Sequence, residues 1–149
     1  MEEWKDGRLL RMKKSKSRKV EESKSNMEKA KRFEDLWIWR KARELVKDIY
    51  KDFHSGPGSK DYGFRGQIQE AGVSVMNNIA EGFERRTDPE FARFLDIAKG
   101  SCGEVRSMYY TAEDLGYIDS TTADTRRSGA KQISAGIASL TKHLRNPNA

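Results

Sequence analysis

Few residues of this chain have types and spacings that could do chemistry. His54 and His143 are its two histidines and Cys102 its single cysteine. A di-metal carboxylate bundle places Glu on two helices and Glu-x-x-His on two others. The residues three before the histidines are Lys51 and Leu140, which excludes that centre. A zinc site fails for want of ligands, and a lone cysteine forms no internal disulfide. Cys102 falls on an apolar helical face and reads as a small core residue. A nucleophile there would need a base, and no histidine is placed to serve. His54 borders a loop and His143 lies near a helix end, where solvated or capping roles are expected. Gly56-Pro57-Gly58 precedes a helix but lacks the spacing and the Lys-Ser/Thr end of a phosphate-binding loop. We therefore assign no catalytic residue, no metal ligand and no cofactor.

Two features remain. The string Asn77-Asn78-Ile79-Ala80-Glu81-Gly82 sets Asn78 and Glu81 one turn apart, near the apolar side of a helix. Buried polar groups require hydrogen-bond partners. Asn78 and Glu81 are expected to bond across to the third helix or to the following loop, with Arg85, Arg86 and Arg93 available to Glu81. Together with Gly82 they form a structural motif. The rival reading, Glu81 as a general base, requires a cleft and a raised pKa. The second feature is a basic stripe, Arg127, Lys131, Lys142 and Arg145, within about 60° on one helix at 100° per residue. Small residues Ala135, Ala138 and Thr141 lie between, and no acid occurs from residue 125 onward. This stripe is the candidate site for phosphate contact with RNA or DNA. The alternatives are a solvated face, or pairing with a neighbouring subunit's acids. The first helix differs: Arg40, Lys47 and Lys51 alternate with Glu44, Asp48 and Asp52, an ordinary solvated face with weak ion pairs.

Charge is distributed unevenly. The chain has 149 residues and a net charge of +6. Residues 1–32 hold 12 basic and 6 acidic residues and so carry all of it. Residues 33–124 are net −5 and residues 125–149 net +5. Such polarisation is physical information about partners. Mean hydropathy is −0.89. No apolar run approaches the length of a membrane helix, and no apolar segment follows the charged N-terminus. A cytoplasmic protein without membrane contact is expected.

Residues 1–32 read as a basic, disordered extension, since their few apolar residues cannot offset the entropy of ordering. Residues 33–145 read as an all-α, antiparallel up-down four-helix bundle, and 146–149 as a tail. The first helix, about Asp35 to Phe53 with Asp35 as N-cap, carries Trp39, Ala42, Leu45, Val46, Ile49, Tyr50 and Phe53 at helical spacing. The loop 55–59 ends it. The second, about Asp61 to Phe83, has Phe64, Ile68, Ala71, Val75, Ile79 and Phe83 on one stripe, with Gly66 and Gly72 allowing a neighbour to approach. The third starts at Asp88-Pro89, with Asp88 as N-cap, and runs to Leu115, with Gly116 as stop. The fourth, about Thr121 to Leu144, spaces Ala130, Ile133, Ile137, Leu140 and Leu144 in a narrow seam. Trp37, Ile38, Phe94 and Tyr110 lie beside these stripes and suggest a second apolar surface for self-association.

Several segments resemble the motifs of a known family. They are Phe33-Glu34-Asp35-Leu36-Trp37-Ile38-Trp39-Arg40-Lys41-Ala42; Ser74-Val75-Met76-Asn77-Asn78-Ile79-Ala80-Glu81-Gly82-Phe83; Glu90-Phe91, Phe94-Leu95, Ile97-Ala98 and Gly100-Ser101; and Leu115-Gly116-Tyr117-Ile118. Over about residues 33–145 the chain resembles the four-helix bundle proteins encoded in bacterial 23S ribosomal RNA intervening sequences. Their relatives include the accessory variability protein of diversity-generating retroelements. The resemblance implies a homopentameric, barrel-like ring without established enzymatic activity. It also implies a possible RNA or DNA partner and, from the retroelement relatives, a reverse transcriptase partner. Where the family usually has basic residues this chain has Gln69 and Glu70, and where it usually has Pro this chain has Met76. Losing the basic pair shifts the expected nucleic-acid contact to the stripe of the fourth helix or to the N-terminal extension.

Overall fold

Every apolar stripe read above belongs to a helix that must hide it. In the computed structural model, which describes residues 30–148, four long helices hide those stripes against one another. They are α1 (Trp37–Asp52), α2 (Tyr62–Phe83), α3 (Asp88–Asp114) and α4 (Ser120–Arg145). A 3-10 turn, Phe33–Asp35, precedes α1, and a one-turn helix, Pro57–Lys60, lies within what the sequence reads as a loop. Among the described residues there is no strand. Short connections make sequential helices antiparallel neighbours, the up-down bundle. The expected extension lies outside the described residues up to 29. Ala30 already packs on the core, and Arg32 lies 3.1 Å from Glu34.

Short oxygen side chains set the starts of α2, α3 and α4, though not always the expected ones. The N-cap of α1 is Leu36, without a side-chain bond; Asp35 sits in the preceding turn and accepts from the Lys31 backbone N–H at 3.1 Å. The Arg40 guanidinium instead holds the turn, donating to the carbonyls of Glu34 (3.1 Å) and Asp35 (2.7 Å). Asp61 caps α2 by accepting from Phe64 N–H, and its other carboxylate oxygen accepts from the Tyr117 hydroxyl at 2.8 Å. One carboxylate thus fixes both the start of α2 and the turn after α3. Thr87, rather than Asp88, caps α3; its hydroxyl accepts from Glu90 N–H and donates to the Glu90 carboxylate. Asp119 caps α4. Gly116, at φ +71°, turns the chain after α3 in the left-handed region that favours glycine.

The core takes the predicted stripes almost whole, including Ile49, Ile68, Val75, Ile79, Leu95, Cys102, Val105, Ile133 and Ile137. Tyr50, expected on the stripe of the first helix, is half exposed, and Leu115, expected as the last residue of the third, is exposed just beyond the end of α3. Three glycines mark close approaches. A Cβ on Gly72 would lie 2.6 Å from Ile49 Cδ1, one on Gly82 2.8 Å from Phe94 Cβ, and one on Gly136 2.8 Å from Ile38 Cγ2 and 2.9 Å from Trp37 Cζ2. At Gly66, also expected to admit a neighbour, a Cβ would meet nothing within 4 Å. The Gly136 contact overturns part of the expected second apolar surface. Trp37 and Ile38 lie outside the main stripe of α1 because they pack into a slot on α4 of the same chain. Phe94 is buried as well, against Gly82 and beneath the guanidinium groups of Arg85 and Arg93.

Candidate nucleic-acid interface

The polar string of α2 is a register device. Asn78 Nδ2 donates to the Ser74 carbonyl at 2.8 Å and to Ser74 Oγ at 3.0 Å. Ser74 Oγ is 2.7 Å from Ser101 Oγ of α3. The expected bond across the helices is therefore made by Ser74, with Asn78 bonding back onto its own helix. Glu81 points to solvent and pairs with Arg85 of the following loop at 2.7 Å. Its side chain is half exposed and bonded to a surface arginine four residues on, the geometry of an ordinary ion pair at a helix end. Gly82 provides the close approach of α2 to α3.

The basic stripe of α4 is only partly free. Arg127 is 9% exposed and lies between Glu113 of α3, at 2.7 Å, and Asp124. Arg145 pairs with Asp96 of α3. The expectation of an uncompensated cationic ridge is corrected at these two residues. Its acids come from α3 and from a position one turn upstream of Arg127. Lys131 and Lys142 are exposed, and among the described residues no carboxylate lies within 4 Å of either.

The same two ion pairs identify the side of α3 that faces α4. Lys99, Arg106 and Tyr110 fall in that sector, within about 40° of one another at 100° per residue. Lys99 is exposed and Arg106 half-buried, and among the described residues neither has a carboxylate within 4 Å. Both cations act on the thiol of Cys102 between them, lowering its pKa, but burial dominates and holds it at about 12. Lys99 and Arg106 on α3 therefore share a cationic face with Lys131 and Lys142 on α4. Small residues, Gly103, Ser134, Ala135 and Ala138, separate them. The sequence reading missed Lys99 and Arg106, because only the antiparallel register shows that they share a face with the α4 lysines. At one end of this face the Arg127 guanidinium lies 4.0 Å over the ring of Tyr110.

A second polar cluster, also unforeseen, lies on the opposite side of α4. Arg126 donates from Nε and Nη2 to both oxygens of Asp52, at 2.7 and 2.9 Å, and lies 3.4 Å from Asp48. The hydroxyl of fully buried Tyr109 donates to the same Asp52 at 2.7 Å. Burial and the Asp52 charge push the Tyr109 phenol well above its usual range, and the same carboxylate holds Arg126 firmly protonated. The cluster joins α1, α3 and α4. It borders a cleft of about 140 Å³ lined by Glu44, Asp48, Arg126 and Gln132 among others. No histidine, cysteine or serine lines that cleft, and its charges are mutually paired, so the arrangement is a structural clamp. Among the described residues no three His, Cys, Asp or Glu side chains gather as a metal site would need, and no helix is long and apolar enough to cross a membrane.

Comparison with known proteins agrees with this architecture. A crystal structure titled as a protein of unknown function from the S23 ribosomal protein family of Bacteroides thetaiotaomicron superposes with a TM-score of 0.65 at 21% identity. The match covers 70% of this chain and 98% of that one, a likeness of fold. None of the curated proteins matches the chain. The family model described as 23S rRNA-intervening sequence protein matches residues 34–139, which span α1, α2, α3 and most of α4. The chain belongs to the 23S rRNA-intervening sequence protein family.

Proposed function

We propose that this protein is a non-enzymatic helical-bundle factor that binds the phosphate backbone of nucleic acid through the α3–α4 face. The observation that carries the reading is the grouping of Lys99, Arg106, Lys131 and Lys142, four cations without carboxylate partners among the described residues. Phosphate contacts release condensed counterions and depend on cation number rather than base sequence. The matching intervening-sequence family is consistent with an RNA partner. Self-association would multiply weak contacts into avidity.

The test is an anisotropy titration with labelled RNA and DNA at low and moderate salt. Binding that weakens steeply with salt and is lost in Arg106→Glu with Lys131→Glu supports the reading. Binding that is absent at low salt, or unchanged by the double reversal, overturns it. Sedimentation of the same samples reads the assembly. A variant that changes assembly but never bound nucleic acid would instead favour a protein-interaction scaffold, the reading that polarised charge alone would support.

A further inference from the structure

Resting on the phosphate-contact reading, we propose that the ligand is single-stranded nucleic acid and that Tyr110 is the platform on which one of its bases stacks. Tyr110 is 56% exposed, on the sector of α3 that carries Arg106 one turn away and Lys99 three turns away. Its ring is already positioned. The Arg127 guanidinium lies 4.0 Å over the ring, and Arg127 is itself held by Glu113 and Asp124. That fixed arginine contributes orientation rather than free charge, since two carboxylates neutralise it. Arg127 takes one face of the ring, so with Tyr110 56% exposed the base would take the other. A pre-set aromatic ring loses little side-chain entropy when a ligand arrives.

The placement selects the ligand. Base faces in a duplex are covered by their neighbours, whereas an unpaired base offers a π-face to an aromatic side chain. Cations that track the backbone beside a stacking ring are the general solution for binding single strands. Here Lys99, Arg106 and Lys131 supply the first part and Tyr110 the second. Stacking is sequence-tolerant because every base has such a face, so little preference among bases is expected. The base face is common to RNA and DNA, and the ring serves either.

The experiment compares four labelled probes by anisotropy: an unstructured RNA strand, its DNA equivalent, a duplex, and an abasic strand of equal length. The proteins are wild type, Tyr110→Phe, Tyr110→Leu and Lys131→Glu. Wild type is expected to bind either base-bearing strand about tenfold more tightly than the abasic strand, the scale of one stacked base. Tyr110→Leu removes that difference and leaves abasic affinity unchanged, Tyr110→Phe keeps it, and Lys131→Glu weakens every probe. A purely structural role for Tyr110 would instead lower abasic and base-bearing affinities together, which overturns the stacking assignment. A wild type without preference for the base-bearing strand also overturns it. If Lys131→Glu weakens binding while Tyr110→Leu keeps the preference, the stacking platform falls and the phosphate reading stands. If no probe binds, both fall.

Discussion

Asp52→Ala should disrupt the bundle strongly, because it removes the acceptor shared by two other helices. The carboxylate accepts three hydrogen bonds, from Tyr109 Oη at 2.7 Å, Arg126 Nε at 2.7 Å and Arg126 Nη2 at 2.9 Å. Its own side chain is 7% exposed and that of Arg126 18%. Removing one partner of a buried ion pair typically costs about 3–5 kcal/mol, because a charge stays behind. An orphaned buried hydroxyl adds about 1–3 kcal/mol. Two features reduce the total. Asp48 remains 3.4 Å from Arg126, and Arg126 retains access to water. The expected loss is therefore about 3–4 kcal/mol, a large share of a single domain's stability. Urea unfolding followed by circular dichroism measures it, at matched protomer concentration so that any assembly contributes equally. Replacing the set together, Asp52→Leu with Arg126→Met and Tyr109→Phe, should recover more than half of that loss, because no buried polar group is then left unpaired. A loss below about 1 kcal/mol for Asp52→Ala, or a triple variant weaker than the single one, would refute the assignment of these groups as a buried clamp.

Three further outcomes follow from the packing. Gly82→Ala should destabilise, because its Cβ would press on Phe94 Cβ near the backbone, whereas Gly66→Ala, facing open space, should stabilise by up to about 1 kcal/mol from helix propensity; thermal melts give the two signs. Cys102, fully buried with its thiol held at about 12, should react with thiol reagents only at the rate of unfolding, and rapid labelling of the native protein would contradict its placement. Asp119 has its pKa lowered by the Thr122 backbone N–H and hydroxyl, so its cap stabilises α4 above the unfolded carboxylate pKa. That contribution should fade as pH falls below about 4, and Asp119→Ala should flatten this part of the pH–stability curve.

Much of the fold is legible in the sequence because a helix writes its buried side into local spacing. Ala130, Ile133, Ile137, Leu140 and Leu144 needed only the 3.6-residue period to be placed in the core. What was not legible depends on register between helices. Arg126 finds Asp52 seventy-four positions away, and Tyr109 finds the same carboxylate fifty-seven away. No local pattern announces that meeting. The same limit explains the misjudged basic stripe. Counting acids from residue 125 onward left out Asp124, one turn before Arg127, together with Glu113 and Asp96 on the facing helix. It also concealed Lys99 and Arg106, which join the α4 lysines only once α3 and α4 lie side by side. Trp37 and Ile38 looked surplus to a single stripe because α1 touches both α2 and α4, and the slot at Gly136 that receives them is visible only in three dimensions.

The salt dependence of RNA binding tests the claim of a cationic α3–α4 face most directly. Each phosphate contact contributes close to one unit to the slope of log affinity against log salt. Neutralising Lys99 and Lys131 together, by Lys99→Gln with Lys131→Gln, is predicted to lower that slope by about two while the helical content and melting temperature stay as in the wild type. An unchanged slope in a folded double variant would contradict it.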